Sequence, residues 1–205
     1  MKEAIDVFEV ARTLACKVVY TSTSSLYNHE VMPILVTDYY MECRRAIERL
    51  ARLYDTLYKV TTVGLRFFSV YGPKERHKGR YANVVSQFLW AIQRGEALVI
   101  YGDGSQTRDF VYVDDVVDAL LRALKWDGSN DDFNVGTGTA HSYNQVVDRL
   151  NRALGTAIEP RYQPNPIANY VHHALADTWI AEHRLGFSAA TPYDAGVRTI
   201  LDPST

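Results

Sequence analysis

Cysteine is scarce in this sequence, and its scarcity argues against two kinds of structural support. Only Cys16 and Cys43 occur among 205 residues, in separate segments and without the Cys-x-x-Cys spacing of metal sites. A disulfide framework and a zinc site are therefore not expected. We predict a cytoplasmic protein, kept in a reduced setting, with no bound metal.

Long apolar runs and an excess of charge of one sign are also missing. No stretch approaches the ~20 apolar residues needed to cross a bilayer. The net charge is -2, with acidic and basic residues mixed along the chain. These absences argue against a membrane span and against a nucleic-acid surface. Residues 1–6 contain acids and no apolar core, so they lack the pattern of a signal peptide.

The remaining composition is that of a globular protein, with 47% hydrophobic and 22% charged residues. Residues 17–21 and 61–68 are β-branched or apolar runs typical of strands. Helical spacing between them predicts a long helix over 39–58, with Asp38 as its N-cap. Strand, helix and strand in this order predict a parallel sheet and the α/β class. The apolar face of the helix is expected to contain Ile47, Leu50, Ala51, Tyr54 and Leu57.

Shorter patterns of the same kind continue towards the C-terminus. Ser142 is expected to cap one helix and Asp177 another, which ends at Gly186. Asp114 and Asp115 are adjacent acids before an apolar helix, so capping is favoured over metal binding or acid catalysis. Predicted helices cover 3–16, 81–94, 115–124, 143–154 and 193–201, and predicted strands cover 97–101, 109–113, 132–135 and 158–162.

The first predicted strand, over 17–21, presents a physical problem. It would leave one edge of a parallel sheet bare, although such sheets are normally flanked and covered. A bare edge promotes aggregation. Missing chain, a partner subunit or a rearrangement would each cover it, and the sequence leaves all three open.

Tyr40 and Arg44 stand four residues apart on the long helix and share one of its faces. A cation beside a phenol lowers the pKa of that phenol and makes it a candidate general acid and base. Tyr39 is a rival candidate, but Cys43, four residues on, supplies no charge. From the spacing alone, a surface pair without function is the alternative.

A cluster of hydroxyl side chains, Thr21-Ser22-Thr23-Ser24-Ser25, follows the first strand. Ligands of doubly wound folds bind beyond the carboxyl ends of the strands, where a hydroxyl can bond a substrate oxygen. An ordinary Ser/Thr turn is the alternative.

Together with several later blocks, these residues resemble the extended short-chain dehydrogenase/reductases, the NAD-dependent epimerases and dehydratases, and particularly the UDP-glucose 4-epimerase group. The resemblance runs from about Lys17 to Leu201. Several blocks in the right order are more specific than any one of them. The blocks are KVVYTSTSSLY (17–27), Tyr-x-x-x-Arg (40–44), VGLRFFSVYGP (63–73), GDGSQTRDFVYVDD (102–115), NVGTG (134–138) and the Ala-Asp pair at 176–177 with Leu-Gly-Phe at 185–187.

The resemblance implies a role for each site residue. Tyr40 would exchange a proton with the sugar, Arg44 would keep it poised, and Thr23 would bond the sugar oxygen. Arg108 would clamp the nucleotide diphosphate, because its fork of donors suits phosphate. Contacts to NAD are implied for Ser22, Tyr40, Arg44, Tyr71 and Pro73. Contacts to the UDP-sugar are implied for Ser69, Asn83, Val84, Tyr101, Arg108, Tyr170 and His173.

The implied architecture is a partial doubly wound, Rossmann-like parallel sheet that lacks its first strands. An NAD-binding domain over 1–80 and 109–137 would interleave with a smaller α/β substrate domain over 81–108 and 138–205. A homodimer would form through a bundle containing the long helix. Because no acid follows Thr23, the resemblance favours 4-epimerisation of UDP-glucose and UDP-galactose, through a 4-keto sugar, over dehydration.

The sequence departs from the family pattern most clearly by lacking the Gly-x-x-Gly-x-x-Gly loop that binds the pyrophosphate of NAD. Arg44 also replaces the usual lysine, and Ser69 replaces a common asparagine. Two hypotheses therefore stand. The chain is an NAD-dependent UDP-sugar 4-epimerase whose N-terminal part is missing here, or it is a non-catalytic UDP-sugar-binding remnant or partner subunit of a full-length relative.

Overall fold

The computed structural model describes residues 2–29, 39–166 and 170–201. Its α-helices and strands alternate along most of the chain, in agreement with the predicted α/β class. In chain order they are α1 (Lys2–Leu14), β1 (Val18–Thr23), α2 (Tyr39–Tyr58), β2 (Thr62–Phe67), β3 (Ser69–Tyr71), α3 (Val84–Gln93), β4 (Val99–Tyr101), β5 (Thr107–Tyr112), α4 (Val113–Lys125), β6 (Asp131–Val135), β7 (Ala140–Ser142), α5 (Tyr143–Leu154), β8 (Arg161–Gln163), β9 (His173–Ala174) and α6 (Tyr193–Ile200).

The chain folds as two units. Unit 1 contains Met1–Phe67, Val116–Val135 and Asp177–Ser188, and unit 2 contains Phe68–Asp115, Gly136–Ala176 and Ala189–Thr205. These boundaries differ from the predicted ones because β3 pairs with β5, which draws the segment from Phe68 onward into unit 2. The assignment of NAD and the sugar nucleotide to separate domains stays a prediction.

Unit 1 is built on a parallel sheet in the order β1-β2-β6. The register pairs Val18 with Thr62 and Thr23 with Phe67, so the two strands end together. Among the described residues β1 pairs only with β2, which leaves the bare edge that the sequence predicts.

Helix α2 packs on this sheet through its apolar stripe and shares a core with α1. Ala51 and Tyr54 are buried there beside Phe8 and Ala11. Leu57 is 58% exposed, so the predicted face ends earlier than expected. The helix spans the predicted residues 39–58, and its predicted N-cap, Asp38, lies outside the described residues.

Unit 2 is organised around β5. This strand pairs in parallel with β3 and β9 and antiparallel with β7, while β4 pairs separately with β8. Strand β5 shares an apolar core with α3, α5 and α6, and this core contains Val85, Leu89, Phe110 and Leu150.

Helix caps explain where several elements begin. The predicted Ser142 cap of α5 is confirmed, with a reciprocal capping box to Gln145. Helix α3 begins at Val84 and not at 81, because Asn83 caps it by accepting a bond from the Val85 amide.

The predicted capping by Asp114 or Asp115 is wrong. Helix α4 begins at Val113, two residues before the predicted start, so both acids lie inside its first turn. Asp115 is buried and instead accepts bonds from the amides of Ala190 and Thr191, at 3.0 and 3.2 Å. Over the three described stretches of chain, no helix is both long enough and apolar enough to cross a membrane.

Candidate functional site

Thr23 ends β1, at the carboxyl end of the sheet of unit 1. Its hydroxyl is mostly buried and accepts a bond from the Ser25 amide at 3.2 Å. A 3₁₀ segment over Ser24–His29 starts immediately afterwards. The local Ser/Thr turn that the sequence offered as an alternative is therefore present, and it fixes the direction of the Thr23 side chain.

Tyr40 and Arg44 form the pair that their spacing predicts. The guanidinium carbon of Arg44 lies 5.1 Å from the centre of the Tyr40 ring, and Tyr40 is 51% exposed. Arg44 Nη1 also donates to the Thr21 carbonyl oxygen at 2.8 Å. Because Thr21 belongs to β1, this bond ties the first turns of α2 to the strand that ends in Thr23.

A buried acid on α2, Glu48, is a feature that sequence reasoning missed. Its carboxylate accepts bonds from Ser22 Oγ at 2.7 Å and from Arg66 Nε and Nη2 at 2.9 and 2.8 Å. Burial raises the pKa of Glu48, but the hydrogen bonds from Arg66 and Ser22 outweigh it and leave that pKa below its usual value. The side chain is therefore held as a carboxylate.

Ser22, Glu48 and Arg66 form a polar cluster. The burial of Ser22 in this cluster does not favour its predicted contact with NAD. The residue is 4% exposed, and its hydroxyl donates to Glu48. Arg66 continues the cluster by donating to the Tyr27 hydroxyl at 2.9 Å, and Tyr27 donates to Asn134 at 2.7 Å. The end of β1 thus rests on a connected set of polar side chains.

In unit 2, Arg108 lies against the rings of two tyrosines. Its guanidinium carbon is 5.1 Å from the centre of the Tyr170 ring and 5.7 Å from that of Tyr143, a residue that the sequence did not single out. Arg108 donates to the carbonyls of Thr107, His172 and Val171, at 2.7, 3.3 and 2.7 Å. These three bonds use three of its five N–H groups, and among the described residues the other two have no recorded partner.

The pairing of β5 with β9 brings other predicted substrate residues to Arg108. His173 stands opposite Thr107 in the register, and their side chains meet at 3.1 Å. His173 is exposed and Tyr170 is half-buried. Tyr170 thus packs on Arg108 and His173 contacts the preceding residue, Thr107, although both lie more than 60 positions after Arg108 in the chain.

Ser69 and Asn83 are also brought together, but the amide of Asn83 has structural partners. Its Nδ2 donates to Ser69 Oγ at 3.1 Å and to the Val70 carbonyl at 2.8 Å, and its Oδ1 caps α3. Val84 is half-buried against the core of unit 2. A ligand at this place would meet a side chain already held in one orientation.

Tyr71 lies in the core of unit 2 and not on an open surface. It is 1% exposed, its hydroxyl donates to the Tyr193 carbonyl at 3.0 Å, and burial raises its pKa. A contact between its ring and NAD is therefore not open in this structure. Pro73 is half-buried in the following turn, and Tyr101 is 48% exposed on β4.

Asp109 is a second buried acid that the sequence did not reveal. It is fully buried beside Arg108 on β5. Its carboxylate accepts bonds from the Thr137 amide and hydroxyl, from the Gly138 amide and from the Ala176 amide, at 2.7–3.2 Å. The acid therefore holds two separate loops against the strand that bears Arg108.

Comparison with known proteins gives consistent matches. Residues 2–136 match the NAD dependent epimerase/dehydratase family. A putative UDP-glucose 4-epimerase of Methanocaldococcus jannaschii is 35% identical over 155 residues, which cover 76% of this chain. The crystal structure of UDP-glucose 4-epimerase from Thermotoga maritima with UDP-glucose superposes with a TM-score of 0.87 at 29% identity, covering 97% of this chain. MoeE5 in complex with UDP-glucuronic acid and NAD gives 0.84 at 32% identity and the same coverage.

The chain is shorter than these relatives. It spans 49% of the Methanocaldococcus jannaschii protein, 66% of the Thermotoga maritima chain and 68% of the MoeE5 chain.

Proposed function

Because the chain belongs to the NAD-dependent epimerase/dehydratase family, we propose that it provides the catalytic and substrate-binding residues of a UDP-sugar 4-epimerase of the UDP-glucose/UDP-galactose type. One observation carries the proposal: the bond from Arg44 to the Thr21 carbonyl, which ties the helix that bears Tyr40 to the strand that ends in Thr23. A phenol, a cation and a hydroxyl are groups that can remove and return the proton of a sugar hydroxyl.

In the proposed reaction Tyr40 accepts the proton of the sugar 4-hydroxyl and later returns it. Arg44 holds the Tyr40 ring in place, with its guanidinium carbon 5.1 Å from the ring centre. Thr23 bonds the oxygen of the 4-keto sugar. Ser24 and Ser25 supply no acid that could expel water, so epimerisation is favoured over dehydration.

The residues present suit one end of NAD better than the other. The half-exposed Tyr40 and the guanidinium of Arg44 are donors suited to the nicotinamide ribose. The pyrophosphate is usually bound by a glycine-rich loop at a helix N-terminus, and the sequence has none. When bound, NAD supplies the reversible oxidation of the sugar carbon. Tyr40 and Arg44 would hold its nicotinamide end.

Binding of the diphosphate is assigned to Arg108, two of whose N–H groups have no recorded partner in the described part of the chain. The neighbouring Tyr170 and His173 are proposed to contact the same ligand. The Thermotoga maritima relative contains UDP-glucose, and MoeE5 contains a UDP-sugar together with NAD, which supports this choice of substrate class.

Replacing Arg108 with methionine is expected to weaken UDP-glucose binding about 10- to 100-fold, because a charge-assisted hydrogen bond is worth ~1.5–3 kcal/mol. Arg108→Lys should recover only part of the affinity, since lysine keeps the charge but not the fork. Isothermal titration calorimetry measures both. Arg152→Met removes an exposed arginine of the same unit and is the matched control. Unchanged affinity in Arg108→Met would remove Arg108 from the site.

A second function, a non-catalytic UDP-sugar-binding remnant or a partner subunit of a full-length relative, is supported by two observations. Among the described residues β1 pairs only with β2, and the given sequence contains no glycine-rich loop. Incubating the purified chain with NAD and UDP-glucose separates the two functions. Formation of UDP-galactose, detected by chromatography, supports the enzymatic function. Binding of UDP-glucose without any product, and without bound NAD, supports the second function.

We also infer a homodimer that forms through α1 and α2. These helices pack on each other and still expose Val10, Leu14, Leu53 and Leu57, each about half or more exposed. Apolar side chains at helical spacing on neighbouring helices suit a bundle with a second copy. Sedimentation equilibrium should give twice the mass of one chain, and the mass of a single chain at micromolar concentration would contradict the inference.

A further inference from the structure

The polar cluster at the end of β1, formed by Ser22, Glu48 and Arg66, contains one acid that has no part in the proposed reaction. Glu48 is 4% exposed, although charged side chains are rarely buried without a partner. It stands four residues after Arg44 and eight after Tyr40, on the same helix. All three side chains therefore project towards one side of α2.

Two bonds connect this side of α2 to consecutive residues of β1. Arg44 Nη1 donates to the Thr21 carbonyl at 2.8 Å, and Ser22 Oγ donates to Glu48 Oε1 at 2.7 Å. The next residue of the strand is Thr23. The two bonds thus hold the helix to the strand immediately before the proposed catalytic hydroxyl.

Glu48 is itself held in place from the neighbouring strand β2. The fork of Arg66 binds both carboxylate oxygens of Glu48, at 2.9 and 2.8 Å. A bidentate pair restricts the carboxylate more than one bond would. The Glu48 carboxylate is therefore fixed in the position where it accepts the hydrogen bond from the Ser22 hydroxyl.

We propose that Glu48 is a positioning residue, which holds the Ser22–Thr23 end of β1 against α2 so that Tyr40 and Thr23 act on one sugar oxygen. This role rests on the proposed function. Misplacing a reacting group by about an ångström costs about 100-fold in rate, so a bond that sets this spacing has a measurable effect on turnover.

Ser22→Ala tests the proposal with little risk to folding, because it removes one hydroxyl and leaves the Glu48–Arg66 ion pair intact. We expect kcat to fall about tenfold or more, as a loss of positioning predicts. The KM for UDP-glucose and the affinity for NAD should change less than about twofold, because uniform binding is not removed. Ser22→Thr keeps a hydroxyl donor and should restore most of kcat.

Glu48→Gln removes the charge at the centre of the cluster and should lower kcat at least as far as Ser22→Ala does. Its matched control is Glu42→Gln, which changes an exposed acid of the same helix and should leave kcat unchanged. If Glu48→Gln does not fold, Ser22→Ala and Ser22→Thr decide the question. An unchanged kcat in Ser22→Ala overturns the proposal, and so does a loss confined to NAD affinity, which would make Ser22 a cofactor contact.

Amide hydrogen exchange on the chain without ligands separates this proposal from the proposed function. Ser22→Ala should accelerate exchange at Ser22–Ser25 about tenfold, while the amides of β6 keep their wild-type rates, because opening is local. If the wild-type chain shows no turnover, the proposed function fails, but the exchange result still decides whether the Ser22–Glu48 bond holds the end of β1. Unchanged exchange at residues 22–25 overturns the positioning role of Glu48.

Discussion

Tyr40→Phe is expected to lower turnover of UDP-glucose about a thousandfold, within the range of 10²–10⁴ that a general acid and base contributes. The substitution removes only the phenolic oxygen. Because the ring stays, the contact with Arg44 5.1 Å away and the helix around it should be preserved. Binding of UDP-glucose should change less than about threefold, since the lost interaction acts in the transition state. Turnover is measured by chromatography of UDP-galactose in reactions stopped at timed intervals, and binding is measured by calorimetry.

The adjacent tyrosine provides the control for this prediction. Tyr39 is 93% exposed, and its position four residues before Cys43 gives it no neighbouring cation on that face. Tyr39→Phe should therefore leave turnover within about twofold of wild type, as expected for a surface change away from any special feature. If Tyr40→Phe retains turnover, or if Tyr39→Phe loses it, the general base has been assigned to the wrong residue.

The helix that bears Tyr40 could be predicted because its signals are local. Apolar residues at helical spacing place α2 at residues 39–58, and Ala51 and Tyr54 are buried as that pattern predicts. The contact between Tyr40 and Arg44 also follows from spacing along one helix. A prediction of this kind needs no knowledge of what lies elsewhere in the chain.

The buried acids could not be predicted because their partners are distant in the chain. A charged residue within an amphipathic helix is expected on its solvent-facing side. Glu48 is nevertheless buried, because Ser22 and Arg66 bond to it from two strands. Asp109 is buried for the same kind of reason, with donors from loops 28 or more residues away. Periodicity reports which face of an element is apolar, and it does not report which polar group finds a partner after folding.

Short strands also limited what the sequence could predict. β3, β7 and β9 contain two or three residues each, too few to display a period of two. Their pairing with β5 nevertheless places Phe68 and the residues after it in unit 2 and buries Tyr71 in the core of that unit. A contact with NAD predicted from the resemblance of the Tyr-Gly-Pro block could not take this burial into account.

Asp109→Asn is expected to destabilise unit 2 by about 2–4 kcal/mol, because a buried charged acceptor is replaced by a group that also donates. The carboxylate accepts bonds from three backbone amides and one hydroxyl. An asparagine side chain has one acceptor oxygen, so its NH₂ group must face amides that are themselves donors. Urea denaturation followed by far-UV circular dichroism measures the loss of stability.

The same substitution should also weaken UDP-glucose binding, since Asp109 holds Thr137, Gly138 and Ala176 against the strand that bears Arg108. Hydrogen exchange should show the cause directly, with faster exchange at the amides of those three residues than elsewhere in unit 2. Asp114→Asn is the control, because Asp114 is an exposed acid near the start of α4 and should cost no more than about 0.5 kcal/mol. Equal losses of stability in the two variants would mean that the hydrogen bonds to Asp109 contribute no more than the charge of an exposed acid does. Asp109 would then not be the support of the strand that bears Arg108.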